Sequence, residues 1–492
     1  MTARRVPVIV AVVTVLAGVL VADRFFLEPA PTADRVAEEV SVVGAPGASA
    51  ASTTWYCPGG STSADGDAEL TVVVANTGSE PVEGVATAVA FSPGAPTPPP
   101  AVQERFALGA QSRVVLSPKE LVQSPHVAVT VEVDGGDVVV EQGVSGSLGF
   151  DLSPCAISGS DAWYFADGAT TRASTLLLNL YNPFAVPAIV DLRFAATEGR
   201  AEPADLQGVV VPPRSLVAVN VGDHVRREPA VSISIVARSG RLVAGKIARR
   251  NEPGQRGLVA GLGAPQPAET WRFPEGVVGG GVVERFHLYN PSEREASVDL
   301  EMVLDDGVFE PIAVPVPPRG RVTLTVNGEG EAGVQVPEGM GHSALFRSLN
   351  GVGVVIERGL EATGRRAGLA STLGAVEPAV RWGLAAGVAT SAVEEWVVVQ
   401  NATDNPAKVS FTAISDGRAE VLDKLGGLTV PPLGRRGFKL NDVLAAASPG
   451  LEEEVLEAAL VVEADRPVVV ERAMYRVGRS GISTSLAIPF IP

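Results

Sequence analysis

Short runs of alternating apolar and polar residues fill most of this chain. Leu70–Ala75, Val85–Phe91, Leu176–Tyr181, Ala188–Phe194, Ala296–Leu304 and Ala407–Ile414 are examples. Period-two runs bounded by Asn, Pro and Gly predict half-buried strands joined by tight turns. Helical periodicity is scarce, and the best helix candidate is Leu451–Ala459, with Glu452, Glu453 and Glu454 at its front.

The runs recur on a long period. Trp55, Trp163, Trp271 and Trp382 stand 108, 108 and 111 residues apart, each opening a W-x-x-x-x-G phrase that ends at Gly60, Gly168, Gly276 or Gly387. An Asn closes the next apolar run: Asn76 comes 21 residues after its Trp, and Asn182, Asn290 and Asn401 come 19 after theirs. Val211-Pro-Pro, Val316-Pro-Pro and Val430-Pro-Pro punctuate the three later segments, where the first has Leu108-Gly-Ala-Gln-Ser-Arg113. A β-branched run follows in each: Val138–Gln142, Leu242–Lys246, Val354–Arg358 and Val468–Arg472. A last strand is expected at Ser147–Phe150, Gly261–Ala264, Thr372–Ala375 and Ser485–Ile488.

About seven short strands in about 105 residues is the pattern of an antiparallel β-sandwich. The expected fold is therefore all-β: four tandem antiparallel sandwich repeats, Ig-like in architecture only, at 53–157, 158–266, 267–377 and 378–492. A four-bladed propeller fits less well, because a blade takes about 40–50 residues. The short linkers predict a semi-rigid rod.

The N-terminus sets the expected compartment. Arg4 and Arg5 precede Val6–Ala22, seventeen residues without a charge. That length exceeds the apolar core of most cleaved signals and is short for a span, with Phe25-Phe26-Leu27 placed to reach the far interface. Residues 6–27 are read as an uncleaved transmembrane anchor, with a signal sequence as the alternative. Residues 1–5 then lie in the cytoplasm, and everything beyond is extracytoplasmic. Residues 28–52, rich in Pro, Ala and Ser, read as a stalk. Cys57 and Cys155 are the chain's two cysteines and fall in one segment, so an exported chain is expected to join them in a disulfide. Cys155 is expected in an extra stretch before Trp163, tied back to the segment's beginning.

Charge and motif searches exclude more than they suggest. A net charge of −17 argues against nucleic acid and against lying flat on anionic lipid. His126, His224, His287 and His342 have no ligand partner at helical spacing, and no catalytic or cofactor motif appears. No metal, cofactor or catalytic residue is expected. Gly279-Gly280-Gly281 reads as a loop, and Asp305-Asp306-Gly307 as a turn without the rest of a calcium loop. Glu141, Glu357 and Glu471 recur, with Gly245 breaking the series. They read as exposed charges, pairing with neighbours such as Arg358 or Arg472 and discouraging edge association. The four Trp read as core anchors, with stacking on a sugar ring as the alternative. Asn401-Ala-Thr403 matches a glycosylation sequon but coincides with the recurring turn Asn.

Taken in order, Leu288-Tyr-Asn-Pro291, Val-Pro-Pro-Arg, Pro467–Tyr475 and Gly481–Leu486 resemble a β-rich repeat family of exported, envelope-associated proteins of Gram-positive, especially actinobacterial, type. The resemblance spans about residues 53–492 and is weakest in the first segment. It implies an exported repeat protein with a structural or binding role, and it supplies no catalytic residue. The expectation is a single-pass, non-catalytic structural or interaction protein of the cell envelope, holding envelope proteins or cell-wall glycan. A glycan-binding array aiding polysaccharide assembly is the alternative.

Overall fold

The computed structural model describes residues 42–492 apart from 65, 95–98, 198, 253, 305–306, 308–310, 328–333, 423–424, 426, 448–455 and 492. The anchor expected at 6–27 and the Asp305-Asp306 pair lie outside the described residues. Among the described residues, no helix is long and apolar enough to cross a membrane.

The alternating runs form antiparallel sheets. In segment 53–157 one sheet has the order Thr53–Gly60, His126–Val133, Val82–Phe91, Val102–Leu108. The other runs Ser112–Leu116, Glu69–Asn76, Val138–Gly146, Gly149–Pro154. Segment 267–377 has the corresponding orders, Thr270–Phe273, His342–Ser348, Ala296–Leu304, Ile312–Val316 and Gly320–Thr325, Val282–Asn290, Val355–Ala362, Gly368–Leu373. Segment 158–266 splits its outer edge between Gly199–Ala201 and Gln207–Val211. In segment 378–492 one strand, Ala459–Arg476, serves both sheets. Its first part pairs with Ala407–Ser415, and its second with Val393–Asn401 and Ile482–Leu486.

Inward-facing residues of both sheets share a core, as period two requires. In segment 267–377, Phe273, Phe286 and Phe346 meet edge to face with centroids 5.0 to 6.0 Å apart. The four Trp are at most 2% exposed. Trp163, Trp271 and Trp382 donate their indole N–H to the carbonyls of Leu242, Val354 and Val468. The recurring Asn is a buried turn clasp. Asn182 donates to the Val186 and Val211 carbonyls and accepts from Phe184 N–H, and Asn76, Asn290 and Asn401 make the matching bonds. Asn401 is 1% exposed, so its sequon has no free amide to carry a glycan.

Residues 42–492 form one compact unit, not a rod. The last strand of each segment touches that of the next, and Ile482–Leu486 returns to touch Gly149–Pro154, closing a ring. A glycine makes three of the four approaches possible. A β-carbon at Gly257 would lie 2.6 Å from Leu369 N, one at Gly368 2.8 Å from Ile482 N, and one at Gly481 2.9 Å from the Phe150 ring, whereas one at Gly149 would reach Leu258 N at an ordinary 3.7 Å. The core of segment 53–157 runs on into both neighbours through Leu258 and Ala260 on one side and Val461 and Ile488 on the other. The short linkers misled because they fix spacing, not direction.

Three other expectations change. The end of the stalk is an ordered strap: Ala45–Pro46 lies parallel to Phe490–Ile491, and Ala45 is fully buried. An α-helix stands at Leu440–Ala447; of the helix expected at Leu451–Ala459, residues 451–455 lie outside the described residues, and Leu456–Glu457 is a strand paired with Val388–Ala389. The last strand of the first segment is Gly149–Pro154, because Tyr56 pairs with Ala156 as Tyr164 does with Ala264 and Arg272 with Ala375. Cys155 therefore sits in no extra stretch; it takes the place of Gly263 and Gly374.

This register explains the disulfide's position. Two residues after Trp163 and Trp271 come Phe165 and Phe273, whose rings fill the space beside Gly263 and Gly374. In the first segment the same two places hold Cys57 and Cys155, which are bonded. In the last they hold Leu384 and Ala487. One gap is filled three ways: by large with none, medium with small, or a covalent bridge.

Replacing both cysteines by Ala should cost about 2–5 kcal/mol in urea unfolding. The Cys57→Phe, Cys155→Gly pair, copying the second and third segments, should recover at least about half of that by refilling the gap. Equal loss in both variants would sink the equivalence.

Candidate functional site: the buried seams of the ring

The recurring glutamates are not exposed charges. Glu141, Glu357 and Glu471 are 0 to 2% exposed, and each reaches into the preceding segment of the ring. The residue after the glutamate position is Gln142, Lys246, Arg358 or Arg472. Lys246 Nζ lies 2.8 Å from Glu357, Arg358 Nη2 2.6 Å from Glu471, and Arg472 Nη2 2.7 Å from Glu141. Each base thus pairs with the glutamate of the following segment, and the last with the first.

The W-x-x-x-x-G phrase supplies the other half of each seam. The fourth residue after the Trp donates its backbone N–H to the same glutamate. Asp167 N–H reaches Glu357 at 2.5 Å, Glu275 N–H reaches Glu471 at 3.0 Å and Ala386 N–H reaches Glu141 at 2.7 Å. The Trp itself is clamped in the core, so it fixes where this N–H points.

The seam between the first two segments has lost both charges together. Gly245 replaces the glutamate and Gln142 replaces the base. Gln142 Oε1 accepts from Gly59 N–H at 3.1 Å, within its own segment, and Pro58 fills the space over Gly245. A lone charge there would be buried without a partner, which costs several kcal/mol.

The seam between the second and third segments carries the densest polar group. His287 lies 3.5 Å from Asp167, and Arg321 hydrogen-bonds Thr323 at 3.0 Å and Ser232 at 3.1 Å. Burial lowers the His287 pKa to about 4 despite Asp167. Burial pushes Asp167 up, but His287, Lys246 and Arg250 outweigh it and hold the carboxyl below its ordinary range. Burial raises Glu357, partly offset by Lys246. A cavity of about 30 Å³ lined by Asp167, Arg250, Arg285, His287 and Glu361 opens beside them. It has room for water and none for a sugar ring. Arg250 and Arg285 both pair with Glu361, so these groups are spent on one another.

Among the described residues, no group of three His, Cys, Asp or Glu is placed to hold a metal ion. The four Trp are brought to no common surface, and their buried rings offer no face for a sugar. The bases at 246, 358 and 472 were missed as seam residues, although the joint loss at Gln142 and Gly245 was a readable signal.

Residues 110–254 match the model of a Family of unknown function (DUF5719). No curated protein matches the chain. Among solved structures, the Anabaena sensory rhodopsin transducer is 18% identical, with a TM-score of 0.17 over 18% of this chain and 94% of that one. Thermotoga maritima 1070 is 21% identical, with a TM-score of 0.19 over 22% and 95%. A tetra-tandem repeat from the extending region of a large adhesion protein is 14% identical, with a TM-score of 0.11 over 90% and 100%. Likeness at these scores does not bear on function.

Two measurements test the seams. Glu357→Gln alone removes the one carboxylate in hydrogen-bond contact with buried Lys246, leaving Asp167 as its nearby charge, and should cost about 3–5 kcal/mol. Adding Lys246→Gln should recover most of it, as Gln142 with Gly245 suggests; additive losses in urea unfolding would contradict the pairing. The second concerns Asp151, 1% exposed on the inner strands, which accepts from the Ala260 and Leu152 N–H groups. Burial lifts its pKa from 3.8 to about 7. The folded protein therefore holds this proton more tightly than the unfolded chain. Stability from this group is full below about pH 4 and declines as pH rises towards 7. Asp151→Asn should flatten the stability–pH curve in that window by up to about 1.4 kcal/mol per pH unit, whatever constant offset the amide adds. Parallel curves would mean that Asp151 is ionised throughout.

Proposed function

We propose that this chain is a non-catalytic structural and interaction protein of the cell envelope. Four tandem copies of one sandwich module, 53–157, 158–266, 267–377 and 378–492, close into a ring. Residues 6–27 anchor it in the membrane, and the segment up to the strap at Ala45–Pro46 carries it outside. The observation behind this reading is where the recurring side chains go. Trp, Asn, Glu and the bases are consumed by cores, turns and seams, and the cavity beside the richest polar cluster is only about 30 Å³. Such a molecule is built to present a rigid surface. The disulfide fits an oxidising compartment outside the cytoplasm. The glycan-array alternative leaned on stacking by the Trp rings, and their burial removes that support.

The test is topological. A tag after residue 492 should be cut by protease added to intact cells, and the protein should leave the membrane fraction only with detergent. Deleting residues 6–27 should keep it inside the cell. Protection of the tag until lysis would defeat the placement, and release by salt alone would defeat the anchor.

A further inference from the structure

The hairpin turns leading into the four inner strands meet at one end of the ring axis. They span Gly146–Gly149, Glu252–Gln255, Ala362–Gly368 and Arg476–Gly481. Their backbones touch across segments. Ser480 Oγ donates to the Arg256 carbonyl at 3.1 Å, Gly478 N–H to the Arg365 carbonyl at 3.4 Å and Gly481 N–H to the Ala367 carbonyl at 2.8 Å. On or beside these turns stand Arg256, Arg365, Arg366, Arg476 and Arg479. Five arginines thus stand on or next to turns that touch one another, in a chain whose net charge is −17.

Little in the protein answers them. Glu394 lies 2.6 Å from Arg366 and 3.6 Å from Arg365. Arg256 and Arg479 are exposed and make no ion pair among the described residues, and the Arg365 side chain is 74% exposed. Arg476 lies over the Phe150 ring at 4.4 Å and Arg366 over Tyr475 at 4.5 Å, which holds both planes in place. Burial and the neighbouring Arg479 lower the Arg476 pKa, as uncompensated like charges require. The strap at Ala45–Pro46 pairs with Phe490–Ile491, at the far end of the run that begins at Gly481.

We propose that this crown of arginines is the ring's partner-binding surface and that it takes a phosphate-bearing polyanion. Guanidinium forks match oxyanions through paired N–H bonds. Glu394 answers Arg365 and Arg366, and Glu252, on the second turn, accepts from Thr171 and forms no ion pair with the crown among the described residues, so most of the crown stays unanswered. A ligand with repeated phosphate groups carries enough charge on compact centres to bridge arginines from the second, third and fourth segments at once. The first segment contributes Ser147 and Leu148 and no charge at its turn, so the surface is an arc open on one side. This deepens the scaffold reading by naming its partner class. It stands on the ring geometry alone and is independent of the membrane placement.

The experiment uses full-length protein in detergent with long-chain inorganic polyphosphate as the probe, across a salt series. The Arg256→Ala, Arg365→Ala, Arg479→Ala variant should bind at least about tenfold more weakly, with its salt slope reduced by about three. Arg226→Ala with Arg227→Ala, an exposed pair elsewhere in the second segment, should leave binding unchanged. Absence of binding by the wild-type protein, or equal loss in both variants, would overturn the crown as a site. Poly-glutamate of matched length binding as tightly would overturn phosphate in favour of an acidic peptide. Failure here with the topology test passed would leave the anchored ring without this partner. Success with that test failed would leave a polyanion-binding ring elsewhere in the cell.

Discussion

The fold depends on a buried carboxylate shared between neighbours. Each seam glutamate accepts a backbone N–H and a basic side chain from the preceding segment. Taking such charges out of water gives little net stability, and removing one partner is costly. The pairs therefore act mainly as a condition on assembly: a segment docks only where both its base and its glutamate find an opposite. Arg472 and Glu141, 331 residues apart in sequence, meet that condition only if the chain closes on itself. Closure also needs the inner glycines, since a side chain at Gly257 or Gly368 would strike the next strand.

Departures from the pattern come in matched sets. Gln142 and Gly245 abandon the ion pair together, and Pro58 occupies the space a glutamate would need. Cys57 and Cys155 replace an aromatic ring set against a glycine. The same logic holds one layer out, where Arg113, Arg321 and Arg435 sit at corresponding edge positions and point across a seam. At the neutral seam that position is Leu216, which packs with Tyr181, Val89 and Ala128. The first seam is thus apolar and amide-lined at both of these positions, with its one ion pair, Arg249 to Asp67, at a part-exposed margin, whereas the other three are ionic at their buried centre. Within one chain, these exchanges show which atoms share a space more firmly than any single contact does.

Much of the secondary structure was legible, because a strand with one face inward must alternate. The runs ending at Asn182 and Asn290 and the strand Ala296–Leu304 fall where alternation puts them. Closure was not legible, since period two says that a face is buried and not what buries it. Glu357 illustrates this: on an isolated sandwich its position would be an open flank, and only the neighbouring segment turns it into an interior. The last strand of the first segment was displaced because Ser147-Leu-Gly resembles Gly261-Leu-Gly, while the bond that sets the register, Tyr56 to Ala156, leaves no mark in composition. Leu451–Ala459 carried helix-like acids at its front, yet the strand it leads into is long enough to serve two sheets, and that pairing claims Ala459.

The seams also account for where free charge remains. Inside the ring, the seam bases Lys246, Arg358 and Arg472 each meet a glutamate, so these pairs add little to the outer field. The inner strands approach too closely for charge along most of their length, and Asp151 stands there with its pKa lifted to about 7 by burial, its carboxyl facing two backbone N–H groups. The turns that join those strands are less constrained: the contact glycines stand at their ends, and the seam ion pairs lie elsewhere. Residues there can hold charge at the surface, and three of the four turns bear arginine on them or at the next residue. Closure of the ring brings those turns together, so a surface that no single segment possesses follows from the same contacts that hold the segments in order.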